Sequence, residues 1–153
     1  MTIAKELRGY FLSHRTITNE LINKIDKEHY NYQPTETSMS AQKLVLHMLT
    51  SFYSITSAAA KQQPKQLHDA TETDLNLSEL AKTYTEETLT LLDSISDEGF
   101  SEIIDLSDTM GMKIPAKAVI HAAIDHEINH KGNLFIYVRE MGHTDLPMFV
   151  FKG

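Results

Sequence analysis

At 153 residues the chain is long enough for one domain with a proper hydrophobic core, and a composition 41% hydrophobic and 23% charged is that of an ordinary globular protein. Its 21 acidic and 14 basic residues leave a net charge of -7, which argues against a nucleic-acid surface, since that needs clustered Lys and Arg. There is no cysteine, so disulfides, thiolate zinc sites and a cysteine nucleophile are excluded, and the eight histidines become the best metal donors available.

The N-terminus, MTIAKELRGYFLSHRT, lacks the continuous apolar stretch of a signal peptide. No segment approaches the ~18 uninterrupted apolar residues of a membrane span. A cytoplasmic protein acting on a small molecule, without nucleic-acid or membrane partners, is expected. No internal repeat, low-complexity tract or interdomain linker interrupts the sequence, so one domain over residues 1–153 is expected.

Ile3, Leu7, Tyr10, Phe11, Ile17, Leu21 and Ile25 recur at three- and four-residue spacing. They predict a first helix from about Thr2 to Glu28 with one buried face. Asn31 to Met39, with Pro34, breaks the pattern. A second helix starts near Ser40, a suitable N-cap, and runs to about Ala60. Leu44, Val45, Leu46, Met48 and Leu49 make it apolar nearly all round, so it is expected to be deeply buried. Lys61 to Leu75, with Pro64, reads as a long loop.

The third helix, about Leu77 to Ile95, carries Leu77, Leu80, Ala81, Tyr84, Leu91 and Ile95 on one face, and Gly99 ends the helical signal. Ser101 to Met112 is mixed, with Glu102 to Leu106 as a short extended piece and a turn near Gly111. Pro115 suits the first turn of a fourth helix that runs to about Met141 and stops at Gly142. The tail from His143 to Gly153 has no helical period. Its Leu146, Met148, Phe149, Val150 and Phe151 are expected to pack back on the body.

The fourth helix contains His126-Glu127-Ile128-Asn129-His130. Residues four apart share a helix face, so His126 and His130 can grip one metal ion. Val119, Ala122, Ala123, Asn133, Leu134, Tyr137 and Met141 lie within ~80° of His126, so the two imidazoles point into the core. His121 lies ~140° away and cannot join them. A third ligand must come from another helix. His47, inside the run Leu44 to Leu49, is the strongest candidate, and His14, in line with Leu7 and Leu21, is the second. His29, His68 and His143 fall at helix ends or in loops and read as surface residues.

Three neutral imidazoles with an open position describe a catalytic rather than a structural zinc site. Nickel, cobalt and iron accept the same donors. A zinc-protease reading of the string is set aside. Asn133 and Tyr137 share the ligand face and are candidates to orient substrate or support a ligand, while Asp125 and Glu127 lie ~100° to either side of His126 and are expected to be solvated.

The run from His126 through Lys131-Gly132-Asn133-Leu134, followed by Tyr137-Val138-Arg139-Glu140-Met141-Gly142, resembles the last-helix signature of the DinB-like superfamily, written H-E-x-x-H-R-G-Q and closing at a glycine. Ser40 to His47 resembles that family's second-helix segment. This chain departs from the pattern with Lys131 for arginine and Asn133 for glutamine, and neither change removes a ligand.

The resemblance implies an all-α, up-down-up-down four-helix bundle in which His47, His126 and His130 hold one divalent transition metal, zinc or nickel first. It also implies an assembly that is often a homodimer, and thiol-dependent transferases, a thiol-dependent isomerase and metal hydrolases among its members. A low-molecular-weight thiol (bacillithiol, mycothiol or glutathione) is then the expected cosubstrate, with His14, Asn133 and Tyr137 as residues facing the substrate or supporting the ligands. A second apolar stripe on the last helix, Ile120, Ile124, Ile128, Phe135 and Val138, offers a surface for the dimer unless the chain itself covers it.

Overall fold

The computed structural model describes residues 1–153. Long helices α1 (Ile3–Asn23), α2 (Ala41–Ala59), α3 (Leu77–Asp93) and α5 (Ala116–Glu140) form the body. A short helix α4 (Asp97–Phe100) and a hairpin of β1 (Ile103–Leu106) and β2 (Met112–Pro115) link α3 to α5. No helix is long and apolar enough to cross a membrane.

The helix starts are set by side-chain caps, in which a side-chain oxygen accepts a hydrogen bond from an otherwise unpartnered first-turn N–H. Thr2, Ser40 and Asn76 cap α1, α2 and α3 in this way. The ends differ in places from the expected ones. α1 stops at Asn23, where Lys24 and Ile25 bond back three residues to Leu21 and Ile22. This turns Ile25 into the core. A single 3-10 turn over Lys27–His29 takes up the rest of the expected helix.

α3 likewise ends before Gly99. The Ser94 hydroxyl donates to Leu91 O at 2.6 Å and closes the helix, and Ser96 then caps α4, with Gly99 inside it. The hairpin turns where expected, at Gly111, whose φ of +68° is open to a residue without Cβ. It aligns Ile103 with Pro115 and Leu106 with Met112, delivering the chain directly into α5.

The helical bundle is as expected, but the helix directions are not. Tyr10 lies beside His121 and Arg15 beside Glu127, so α1 and α5 run parallel. Gln62, just past α2, reaches Ser94, just past α3, while Tyr30 ahead of α2 meets Leu77 at the start of α3, so these two are also parallel. Arg8 pairs with Asp93, so α3 runs against α1. The order is therefore up-down-down-up rather than up-down-up-down. The connection from Ala60 to Asn76 makes this possible. At ~3.3 Å per residue it easily returns along a helix of ~25 Å, which a tight loop could not do.

α1 and α2 each pack on α3 and α5. Two apolar clusters fill the bundle. One is built around Leu21, Leu44, Leu49, Leu77 and Leu134, the other around Phe11, Phe52, Leu92, Phe100 and Ile120. Ile120, Ile124 and Val138 are at most 1% exposed inside these clusters. Most of the second apolar stripe of the last helix is thus covered by the chain's own helices, with Ile128 and Phe135 left half-buried. The tail returns to the body through its backbone, with Phe151 N–H donating to Ser13 O at 2.8 Å and Lys131 Nζ donating to Phe149 O, but the side chains of Met148, Phe149 and Phe151 stay exposed rather than packing on it.

Candidate metal centre

α2 and α5 run antiparallel with their ligand-bearing faces opposed, which places His47 across from the turn that carries His126 and His130. The three Nε2 atoms converge. His126 Nε2 lies 3.0 Å from His47 Nε2 and 3.1 Å from His130 Nε2. A tetrahedral metal with nitrogen at ~2.0–2.1 Å sets its donors about 3.3 Å apart, so the spacing suits one small cation. All three side chains are half-buried.

The second ring nitrogens show which tautomer is held. Asn133 Oδ1, an acceptor, sits 3.2 Å from His130 Nδ1, so that nitrogen carries the proton and Nε2 presents its lone pair to the cluster. Ser51 Oγ lies 3.3 Å from His47 Nδ1 and supports that ring from one turn further along α2. Burial holds His47 and His126 below the usual histidine value, and the neighbouring imidazoles push the same way. Neutral rings with converging lone pairs are the form a metal requires. The donor set therefore fits a divalent transition metal.

The other candidates fall elsewhere. His14 is buried, with its Nδ1 2.7 Å from Lys131 Nζ, on the α1 side of α5 and outside the triad. Tyr137 donates its hydroxyl to Met39 O at 2.7 Å and stands edge-on to Tyr32, bracing the chain ahead of α2 rather than touching the imidazoles. Asn133 does contact the triad, through His130. His121 and Asp125 are exposed. The three histidines read as surface residues, His29, His68 and His143, are all half-buried, and His68 is bonded to the Tyr84 hydroxyl at 2.6 Å.

Glu127 overturns its expected place in solvent. It is 1% exposed, and both carboxylate oxygens accept from Arg15, Oε2 from Nε at 2.8 Å and Oε1 from Nη2 at 2.9 Å. Thr18 Oγ1 adds a third bond at 2.7 Å, and the guanidinium, itself 0% exposed, lies over the rings of Phe11 and Phe52. Burial alone would raise the Glu127 carboxyl. The Arg15 guanidinium, the Thr18 hydroxyl and Lys131 outweigh it and hold the group below the usual carboxylate range.

By spelling, the string does read H-E-x-x-H, in which the glutamate of a zinc protease serves as general base. Here that carboxylate is turned into the core and fully engaged, so it cannot act on anything at the triad.

Two clefts flank the three histidines. One, of about 420 Å³, runs from His126 along α2 to the hairpin. The other, of about 400 Å³, lies on the Asn133 side, beneath the chain that leads into α2.

The sequence profile of the DinB family matches residues 1–151. Protein YjoA of Bacillus subtilis is 49% identical over 97% of both chains. The crystal structure of that DinB-like protein superposes with a TM-score of 0.85, covering 96% of this chain and 99% of the other at 46% identity. A DinB-like protein from Bacillus cereus shares the fold at a TM-score of 0.74 and 18% identity, over 96% of this chain and 97% of its own. With the fold, the last-helix signature and near full-length similarity in agreement, the chain belongs to the DinB family.

Proposed function

We propose that the protein is a metal-dependent enzyme in which His47, His126 and His130 hold one divalent metal, and that its reaction joins a thiol to a small electrophile. The observation that carries this reading is the convergence of three imidazole nitrogens at the edge of an apolar cleft. A bound metal would supply Lewis acidity, which lowers the pKa of a thiol or water in its open position.

The chain's own residues do the rest. Asn133 fixes the His130 tautomer and Ser51 steadies His47, so the donors need no reorganisation to accept the ion. The cleft walls exclude water from one side of the centre. In the transfer, the sulfur's electron pair forms the new S–C bond while the carbon's bond to its leaving group breaks with its pair. The thiol proton passes to solvent.

The position of Glu127 favours thiol transfer over hydrolysis. A hydrolase of this layout needs a base to take the second proton of an attacking water, and no free carboxylate stands at the triad. A thiol has one proton, which solvent would take once its pKa is lowered, and needs no such base.

The test uses protein purified without a histidine tag. Metal analysis should give about one divalent metal per chain. Mass spectrometry should then detect a conjugate of glutathione or bacillithiol with 1-chloro-2,4-dinitrobenzene that disappears with chelator and in His126→Ala. A conjugation rate unchanged by both would overturn the proposal, and metal-dependent ester cleavage without conjugation would replace it with hydrolysis.

A further inference from the structure

The two clefts beside the triad are not equivalent, and the difference bears on where each reactant sits. The His126 side is walled by Ser51, Ile55 and Ala58 of α2 and by Leu106 and Met110 of the hairpin, with His126 at its inner edge. No charged side chain lines it, although the chain as a whole carries a net charge of -7. Its small α2 residues, Ser51 and Ala58, hollow out the wall that larger side chains would fill. At about 420 Å³ it falls within the size range of small-ligand sites, whose walls are mostly apolar. The Asn133 side presents Thr37, Ser38 and the Tyr137 ring, and is the more polar of the two.

We propose that the His126-side cleft seats the uncharged apolar part of the electrophile, with Ala58 and Met110 setting the size and character of the group it accepts. This rests on the reading of the triad as the reaction centre, because His126 is what joins the cleft to the chemistry. An aryl or short alkyl group would remove its surface from water against Ile55, Leu106 and Met110. Its reactive carbon would then face the nucleophile held at the histidines. The hairpin contributes three of the eight lining residues, Leu106, Thr109 and Met110, so it bears on specificity as well as forming the route from α4 into α5. Neither Ala58 nor Met110 is one of the three clustered donors, which separates selection of the electrophile from retention of the metal.

Saturation-transfer NMR with benzyl alcohol, an unreactive stand-in, tests the assignment on metal-free and cobalt-loaded protein. Metal-free wild type should transfer saturation to the ring protons. Ala58→Phe, which fills the cleft, and Met110→Glu, which puts a charge in its wall, should each weaken binding roughly tenfold or more. Ile136→Glu in the opposite cleft should stay within about twofold of wild type. Unaltered melting by circular dichroism confirms that the variants fold. Cobalt loading should add fast relaxation of the ring protons.

Wild-type binding in both Ala58→Phe and Met110→Glu overturns the assignment, as does an equal loss in Ile136→Glu. Should the chain take up no cobalt, the metal reading falls, while the metal-free titrations still decide whether the cleft holds the ring.

Discussion

The Arg15–Glu127 pair makes a quantitative demand on stability. Both side chains are at most 1% exposed, and the guanidinium has the carboxylate as its only counter-charge among its hydrogen-bond partners, with Thr85 Oγ1 as the remaining one at 3.3 Å. Glu127→Gln keeps the shape and removes the charge, leaving a buried cation uncompensated. Breaking a buried pair from one side costs ~3–5 kcal/mol. For a chain of this length each kcal/mol moves the midpoint by roughly 2–4 °C, so the melt should fall by roughly 6–20 °C.

Arg15→Met with Glu127→Leu removes both charges and should recover to within ~1 kcal/mol of wild type, since apolar replacements of a buried pair are often neutral or better. Because the folded Glu127 carboxyl lies below its unfolded value, its contribution is present above ~pH 4.3 and is lost as pH falls through the folded value. The gap between wild type and Glu127→Gln should therefore close in acid. Urea melts of chelator-treated protein at pH 7 and pH 3.5 measure all of this. A Glu127→Gln variant as stable as wild type but without activity would sink the argument and return Glu127 to the role of catalytic base.

Further outcomes follow from the same contacts. His126→Ala should abolish metal uptake and His121→Ala should leave it intact, read by elemental analysis; equal loss would contradict the placement of the two side chains. Metal at a hundredfold excess over Kd should stabilise the fold by ~2.7 kcal/mol, a rise of roughly 5–10 °C that His47→Ala removes, because His126 and His130 alone bind one helix. Burial lowers His47 and His126 in the folded state, so the unfolded chain takes up protons first; stability and metal binding should both decline as pH drops below ~6.5, and a shift undiminished at pH 5.5 would exclude imidazole donors. Ile120→Ala should cost ~2–5 kcal/mol in chemical denaturation and leave the mass by light scattering unchanged; a fall in mass with this variant would place a subunit interface on the stripe.

The long helices, the hairpin turn at Gly111 and the stop at Gly142 were legible because local chemistry sets them: apolar spacing, caps and positive φ. The clustering of the triad was legible for a similar reason, with two histidines one turn apart and the third inside an apolar run. Helix direction was not, because it depends on how far the Ala60–Asn76 connection travels, and loop composition does not encode distance. Glu127 was misplaced by measuring its angle from His126 alone. On the helix it lies within ~20–60° of Ile120, Ile124 and Val138, as does Lys131. Two charges on an apolar stripe, facing an arginine set between Phe11 and Ile17, carried the signal of a buried pair. His14 was read as core-facing correctly, but its partner Lys131 was hidden by the same omission.

The fork of Arg15 on Glu127 also works as a rotational key. Two parallel hydrogen bonds from α1 fix the azimuth of α5 about its own axis, and the imidazoles ride on the same turn. At a helix radius of ~5–6 Å, a rotation of 20° would sweep a side-chain tip by about 2 Å, as long as a whole zinc–nitrogen bond. An inserted residue between Ala116 and His126 would turn the following helix by ~100° and carry His126 to the face of Arg15, whereas a deleted one would turn it the other way and carry the carboxylate to the cleft. The spelling that names a base in zinc proteases here aligns a helix, and variants that loosen the key should first show as heterogeneous metal coordination, before any loss of fold.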